Sequence, residues 1–105
     1  WDGLAPLALP DGGVLALQPA RRLHGLRVRA RRGGERLRLA NRRHRHSLKH
    51  VLQDLGVPPW TRAHLPLLLR DHELLAAGDL VMSADFEREL AVAGVRLAWT
   101  RPPGA

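Results

Sequence analysis

Between positions 26 and 39, apolar and arginine residues alternate. Leu26, Val28 and Ala30 are interleaved with Arg27, Arg29 and Arg31, and Leu37 and Leu39 with Arg36 and Arg38. A two-residue period sends successive side chains to opposite faces of a strand, whereas a helix would scatter the same arginines around its circumference. The pattern predicts two strands, each with one face to bury and one cationic face left in solvent. Gly33-Gly34 between them supplies the positive φ of a tight reversal, so the expectation is an antiparallel ribbon carrying Arg27, Arg29, Arg31, Arg36 and Arg38 on one face.

These arginines belong to a wider block. Positions 21–49 hold twelve basic residues and one acid, Glu35, a net charge of +11. The rest of the chain holds five basic and nine acidic residues, a net of −4. A solvated face ordinarily mixes signs, so repulsion this lopsided is relieved by a polyanion. Guanidinium forks fit phosphate oxygens, and counterion release makes such binding strongly salt dependent. The block is read as a nucleic-acid footprint.

The remaining segments complete a small α+β domain. Residues 4–9 and 14–17, joined by Pro10-Asp11-Gly12-Gly13, predict a β-hairpin, followed by a connector up to residue 25. Residues 41–46 lack any apolar side chain and are expected to form an exposed loop. Leu48, Val51, Leu52 and Leu55 fall at helical spacing, with Ser47 or His46 as N-cap and Gly56 as the stop, predicting one main helix over residues 47–55 with this stripe in the core. A short helical turn is expected at 60–65 and strands at 66–69, with Pro66 as first residue, 73–77, 80–83 and 95–100, while 84–90 is acidic and of undecided type. The expected architecture is a mostly antiparallel, sandwich-like or barrel-like arrangement with the helix packed on it. Its units are a leading hairpin and connector (1–25), the main domain (26–100) and a loose tail (101–105).

Only four aromatic residues are present among 105, so leucine must build the core, with Trp60 and Trp99 as its large pieces. Cysteine is absent, which excludes disulfides, thiolate nucleophiles and cysteine-based zinc sites. The apolar runs are far shorter than the ~20 residues of a membrane span, so no membrane association is expected. His44, His46 and His50 could suggest a metal, but Arg42, Arg43 and Arg45 around them would repel a cation; protonation against RNA at mildly acid pH is the better reading. No nucleophile-base pair or carboxylate dyad is apparent, so no catalytic centre is expected within these residues.

Several of these segments together resemble a known family. The run Gly33-Gly34-Glu35-Arg36-Leu37-Arg38-Leu39, then Ser47-Leu48-Lys49, Gly56-Val57-Pro58-Pro59-Trp60 with Arg62, and Leu65-Pro66-Leu67-Leu68, is similar to the C-terminal domain of bacterial tRNA(Ile)-lysidine synthetases. The hairpin at 74–78 and the Leu-Pro-Asp-Gly-Gly turn at 9–13 extend the similarity over most of the chain.

The resemblance implies a fragment of an ATP-dependent ligase that adenylates the wobble cytidine of tRNA(Ile) and lets lysine displace AMP. ATP and lysine would be used by an N-terminal catalytic domain with a Ser-Gly-Gly-x-Asp-Ser loop, which this chain lacks. Gly12-Gly13 and Gly33-Gly34 do not substitute for it. This part would take no cofactor, and its implied role is to hold tRNA around the acceptor stem. Partners would be tRNA(Ile) and the N-terminal domain, in the cytoplasm, with room for a homodimer of the full-length protein.

Arg36, Lys49 and Arg62 match basic positions of the family pattern and Arg42 the arginine of its Gly-Arg pair; Leu39, Asn41, His46 and His50 depart from it. The residues expected to touch RNA are Arg36, Arg38, Arg42, Arg43, Arg45, Lys49 and Arg62. Two other readings of the charge stand beside this one: a general nucleic-acid binder, and a basic module for an acidic protein partner.

Overall fold

The computed structural model describes residues 1–40 and 43–104. Its elements run β1 (Leu7–Ala8), β2 (Val14–Gln18), β3 (Leu26–Ala30), β4 (Arg36–Arg38), β5 (Arg45–Ser47), α1 (Leu48–Asp54), α2 (Pro59–Arg62), β6 (Pro66–Arg70), β7 (Glu73–Ala77), β8 (Val81–Met82), α3 (Ala84–Ala93) and β9 (Arg96–Thr100). Every strand pairing is antiparallel, in sheets of order β1-β2-β9, β3-β6-β7-β8 and β4-β5. The sheets do not close into a barrel, and the α+β class expected from the sequence holds.

Leucine placement explains which strands are central. Pro66 to Leu69 and Leu74 to Ala77 are buried without interruption, so β6 and β7 are covered on both faces. Such strands read as continuous apolar runs, and β3, which alternates, takes an edge of that sheet. One side of β7 is met by β4 and another by α3, which also packs on β9 and so ties two sheets together. The core they enclose contains Leu15, Leu37, Leu48, Leu52, Leu67, Leu68, Phe86 and Leu97, all nearly sealed from solvent.

Four expectations change. First, β3 and β4 do not pair: Leu26–Ala30 runs against β6, and β4 runs against β5. The apolar edge of β6 offers Leu67, Leu68 and Leu69 as cross-strand neighbours, which the short, arginine-rich β4 cannot match. Second, the segment expected to be loop ends in strand, because Arg45–Ser47 closes the ladder with Arg36–Arg38.

Third, the undecided segment is the longest helix. Ser83 Oγ accepts the Phe86 N–H, Asp85 and Glu87 sit in the first turn where the helix dipole favours them, and Gly94 ends the helix at φ 70°. Fourth, Trp60 is 63% exposed and Leu55 58% exposed. Helix α1 stops at Asp54, so Leu55 lies beyond its buried stripe, and Thr61 rather than Trp60 is the buried residue of α2. Trp99, in contrast, is buried as expected and packs at Gly78, where an added Cβ would lie 2.8 Å from its ring.

Candidate nucleic-acid interface

The site begins with a local rule of strand geometry. Leu37 is 2% exposed and anchors β4 in the core, so its neighbours Arg36 and Arg38 are turned outward. Across the ladder Arg38 faces Arg45, a like-charge pair that costs free energy in the absence of an anion. Arg36 donates from Nη2 to the Arg45 carbonyl at 3.0 Å, which fixes that guanidinium along the ribbon. Arg45 donates from its own Nη2 to Glu73 Oε1 at 3.2 Å.

Two recesses adjoin the ribbon. One is lined by Arg36, Arg38 and Arg45 together with Glu73, Ser83 and Asp85. The second continues from Arg38 to Arg43 and the face of α3, where Arg88 joins. Four of the expected RNA contacts, Arg36, Arg38, Arg43 and Arg45, thus line two recesses that share Arg38. Lys49 is exposed on the first turn of α1 and Arg62 is half-buried in α2; neither lines these recesses. Arg62 donates from Nε to the Val57 carbonyl at 2.8 Å, so part of its task is to close the Gly56-Val57-Pro58-Pro59 turn. Arg42 lies outside the described residues.

Glu35, the block's own acid, is spent on structure. Its side chain is 5% exposed and accepts from Arg29 Nη1 at 2.9 Å, from the Arg32 N–H at 2.9 Å and from the Gly33 N–H at 3.1 Å. Burial pushes the Glu35 carboxyl up, but the hydrogen bonds from Arg32, Arg29 and Gly33 together hold it below its ordinary value. Its backbone carbonyl accepts the Leu48 N–H, so the turn before β4 and the start of α1 share this one residue. Ser47, at the N-cap, contributes no side-chain hydrogen bond there.

From the acidic remainder of the chain, Glu73 is the one carboxylate paired with an arginine of positions 21–49 among the described residues. Elsewhere Arg70 is held bidentately by Glu89 at 2.7 and 2.9 Å and also donates to the His24 carbonyl, so it locks α3 to β6. Its guanidinium holds the Glu89 carboxyl below the usual range against the opposing effect of burial.

The N–H groups of the Gly33-Gly34 turn do not form a phosphate cradle, since Glu35 already occupies that of Gly33 and the preceding one of Arg32. The described residues therefore do not fit the triphosphate of ATP at this turn. His44 and His50 are exposed and His46 is half-buried. No group of three or more His, Asp or Glu among the described residues is arranged to hold a metal ion. Among the described residues no helix is long and apolar enough to cross a membrane.

Arg88, Glu73 and Asp85 enter the site from segments to which the sequence reading assigned no role there. Arg88 could have been found from its spacing: it stands three residues after Asp85, on the turn opposite Phe86 and Leu90. Glu73 could not, since its approach to Arg45 spans 28 positions.

Fold and charge define the class: a small α+β domain built to present a cationic two-stranded ribbon beside a helix. A family model described as the TilS substrate C-terminal domain matches residues 26–99, and the chain belongs to that family. Proteins named tRNA(Ile)-lysidine synthase are similar to it. That of Xylella fastidiosa (strain Temecula1) is 50% identical over 105 residues, covering 94% of this chain and 24% of the relative. That of Xanthomonas axonopodis pv. citri is 48% identical over 102 residues, covering 94% and 23%. That of Pseudomonas aeruginosa is 46% identical over 103 residues, covering 97% and 22%.

The chain spans about a quarter of the length of the curated relatives it matches. A solved structure described as the crystal structure of the TILS C-terminal domain superposes with a TM-score of 0.64 at 20% identity, over 92% of this chain and 90% of that one. That likeness speaks for the fold.

Proposed function

We propose that this domain holds tRNA(Ile) by its phosphates, chiefly along the acceptor stem, for an N-terminal catalytic domain of the same protein. That domain would use ATP and lysine to convert the wobble cytidine to lysidine, in the cytoplasm. Arg36, Arg38, Arg43 and Arg45 form the centre of the contact, Arg42, Lys49 and Arg62 extend it, and Arg88 is added to the set. One observation carries the reading: the ribbon β4-β5 concentrates three guanidinium groups, of which Arg36 and Arg38 have no carboxylate partner among the described residues and Arg45 has a single exposed one, Glu73. Free guanidiniums at this density repel one another until an anionic strand neutralises them. Membership of the TilS substrate C-terminal domain family supports the choice of tRNA as that strand.

The double variant R36A/R38A tests it. Affinity for tRNA is expected to fall at least tenfold at moderate salt, and the slope of log affinity against log salt to shrink by about 1 to 2. Unchanged affinity and slope would remove the ribbon from the interface. Competition with duplex DNA and with a polyacidic peptide separates tRNA preference from general polyanion binding.

A further inference from the structure

Carboxylates within a phosphate-binding recess need an explanation, and two line this one. Glu73 and Asp85 line the same recess as Arg36, Arg38 and Arg45, and Glu73 touches Arg45. Two other acids of the fold are spent in bonding: Glu35 accepts three hydrogen bonds, and Glu89 grips Arg70 with both oxygens. Glu73 and Asp85 are not. Their side chains are 65% and 76% exposed, and each has one arginine contact, at 3.2 and 3.5 Å respectively. Exposed pairs of this kind add little to stability. Glu73 Oε2 accepts no hydrogen bond among the described residues.

An ionised carboxylate is an acceptor only, so it repels phosphate and is satisfied by a donor. In its minor groove, an RNA duplex lying on the arginines offers donors of two kinds, the ribose 2′-hydroxyl and the exocyclic amino group of guanine. In A-form RNA the 2′-hydroxyls line the wide, shallow minor groove, which a recess edged by guanidiniums can approach without unstacking any base. We infer that Glu73, assisted by Asp85, accepts a hydrogen bond from a ribose 2′-hydroxyl of duplex RNA held on Arg36, Arg38 and Arg45, and so makes this face prefer RNA to DNA. This rests on the tRNA-binding reading above and adds a specificity residue to it.

The test measures binding of the 105-residue chain to an RNA stem-loop and to the DNA stem-loop of the same sequence, for wild type, E73A and E73Q. The wild type is expected to prefer RNA. In E73A the preference should contract about tenfold, the loss of one charge-assisted hydrogen bond, with DNA affinity equal or raised because a repelling charge has gone. E73Q, which keeps a carbonyl acceptor, should recover part of the preference. Single 2′-deoxy substitutions scanned along the RNA should locate one position that weakens wild type and has no effect on E73A.

Three outcomes overturn the inference. RNA and DNA affinities rising together in E73A would make Glu73 a latch on Arg45. Both affinities unchanged would leave it without a role. Sensitivity to inosine in place of guanosine, with none to 2′-deoxy substitution, would move the contact to a base. In each of these the chain still binds RNA, so the tRNA-binding reading survives; failure of wild type to bind either stem-loop would sink both.

Discussion

Glu35 shows what one residue does inside a block of like charge. Its carboxylate holds Arg29 and the N–H groups of Arg32 and Gly33 while 5% exposed, so removing the carboxylate loosens the turn that aims β4, while its backbone carbonyl still receives Leu48 N–H. Folding lowers this carboxyl's pKa, so its stabilising contribution is full above the ordinary value of 4.5 and is lost as pH falls through the lower folded-state value. E35Q is expected to cost about 1–3 kcal/mol at pH 7, a difference from wild type that shrinks in acid. Urea unfolding at pH 7 and pH 3 checks the sign.

The two interior-type tryptophans also part company at this scale. Trp99, 6% exposed, should cost about 3–5 kcal/mol on truncation to alanine, whereas Trp60, 63% exposed, should cost under about 1. Midpoints of thermal unfolding for the two variants decide it. Sequence could name both rings as large apolar pieces, but burial depends on which residue of a four-residue turn faces inward, and Thr61 took that place.

At the scale of elements, the helices differ in how they start. In α3 Ser83 caps Phe86 N–H through its hydroxyl, while Ser47 before α1 makes no such bond and Leu48 N–H is satisfied by the Glu35 carbonyl. S83A is therefore expected to lose about 1 kcal/mol and S47A close to none, as read from denaturant midpoints. Helix α1 was legible because Leu48, Val51 and Leu52 repeat at helical spacing and Gly56 stops the run. Helix α3 was not, because only Phe86 and Leu90 mark its buried face and three acids, Asp85, Glu87 and Glu89, flank them. Its cap residues were present in the sequence, but two apolar positions cannot establish a period. The strand β5 was hidden for a related reason: Arg45-His46-Ser47 has no apolar side chain, and only pairing with β4 makes it a strand.

Taken as a whole, the molecule is closed by its ends. Strand β2 pairs along its full length with β9, from Val14 opposite Thr100 to Gln18 opposite Arg96, and Leu15, Leu17, Leu97 and Trp99 meet in the core. Truncation after Gly94 should expose that edge and abolish cooperative unfolding, which circular dichroism during a thermal ramp would register; a retained sharp transition would mean the four-stranded sheet holds alone. The amino-acid sequence by itself determined the charge block, the alternating strands, helix α1, the leucine core and the resemblance that family membership bears out. The first four are local in the chain and follow from periodicity or composition, and the resemblance rests on short motifs such as Gly56-Val57-Pro58-Pro59-Trp60. Tertiary structure alone decided that β3 joins β6 rather than β4, and that Arg38, Arg43 and Arg88 share one recess. It also brought Glu73 across 28 positions to Arg45. Those outcomes depend on which buried surfaces fit together in space, and side-chain fit between distant segments leaves no periodic trace along the chain.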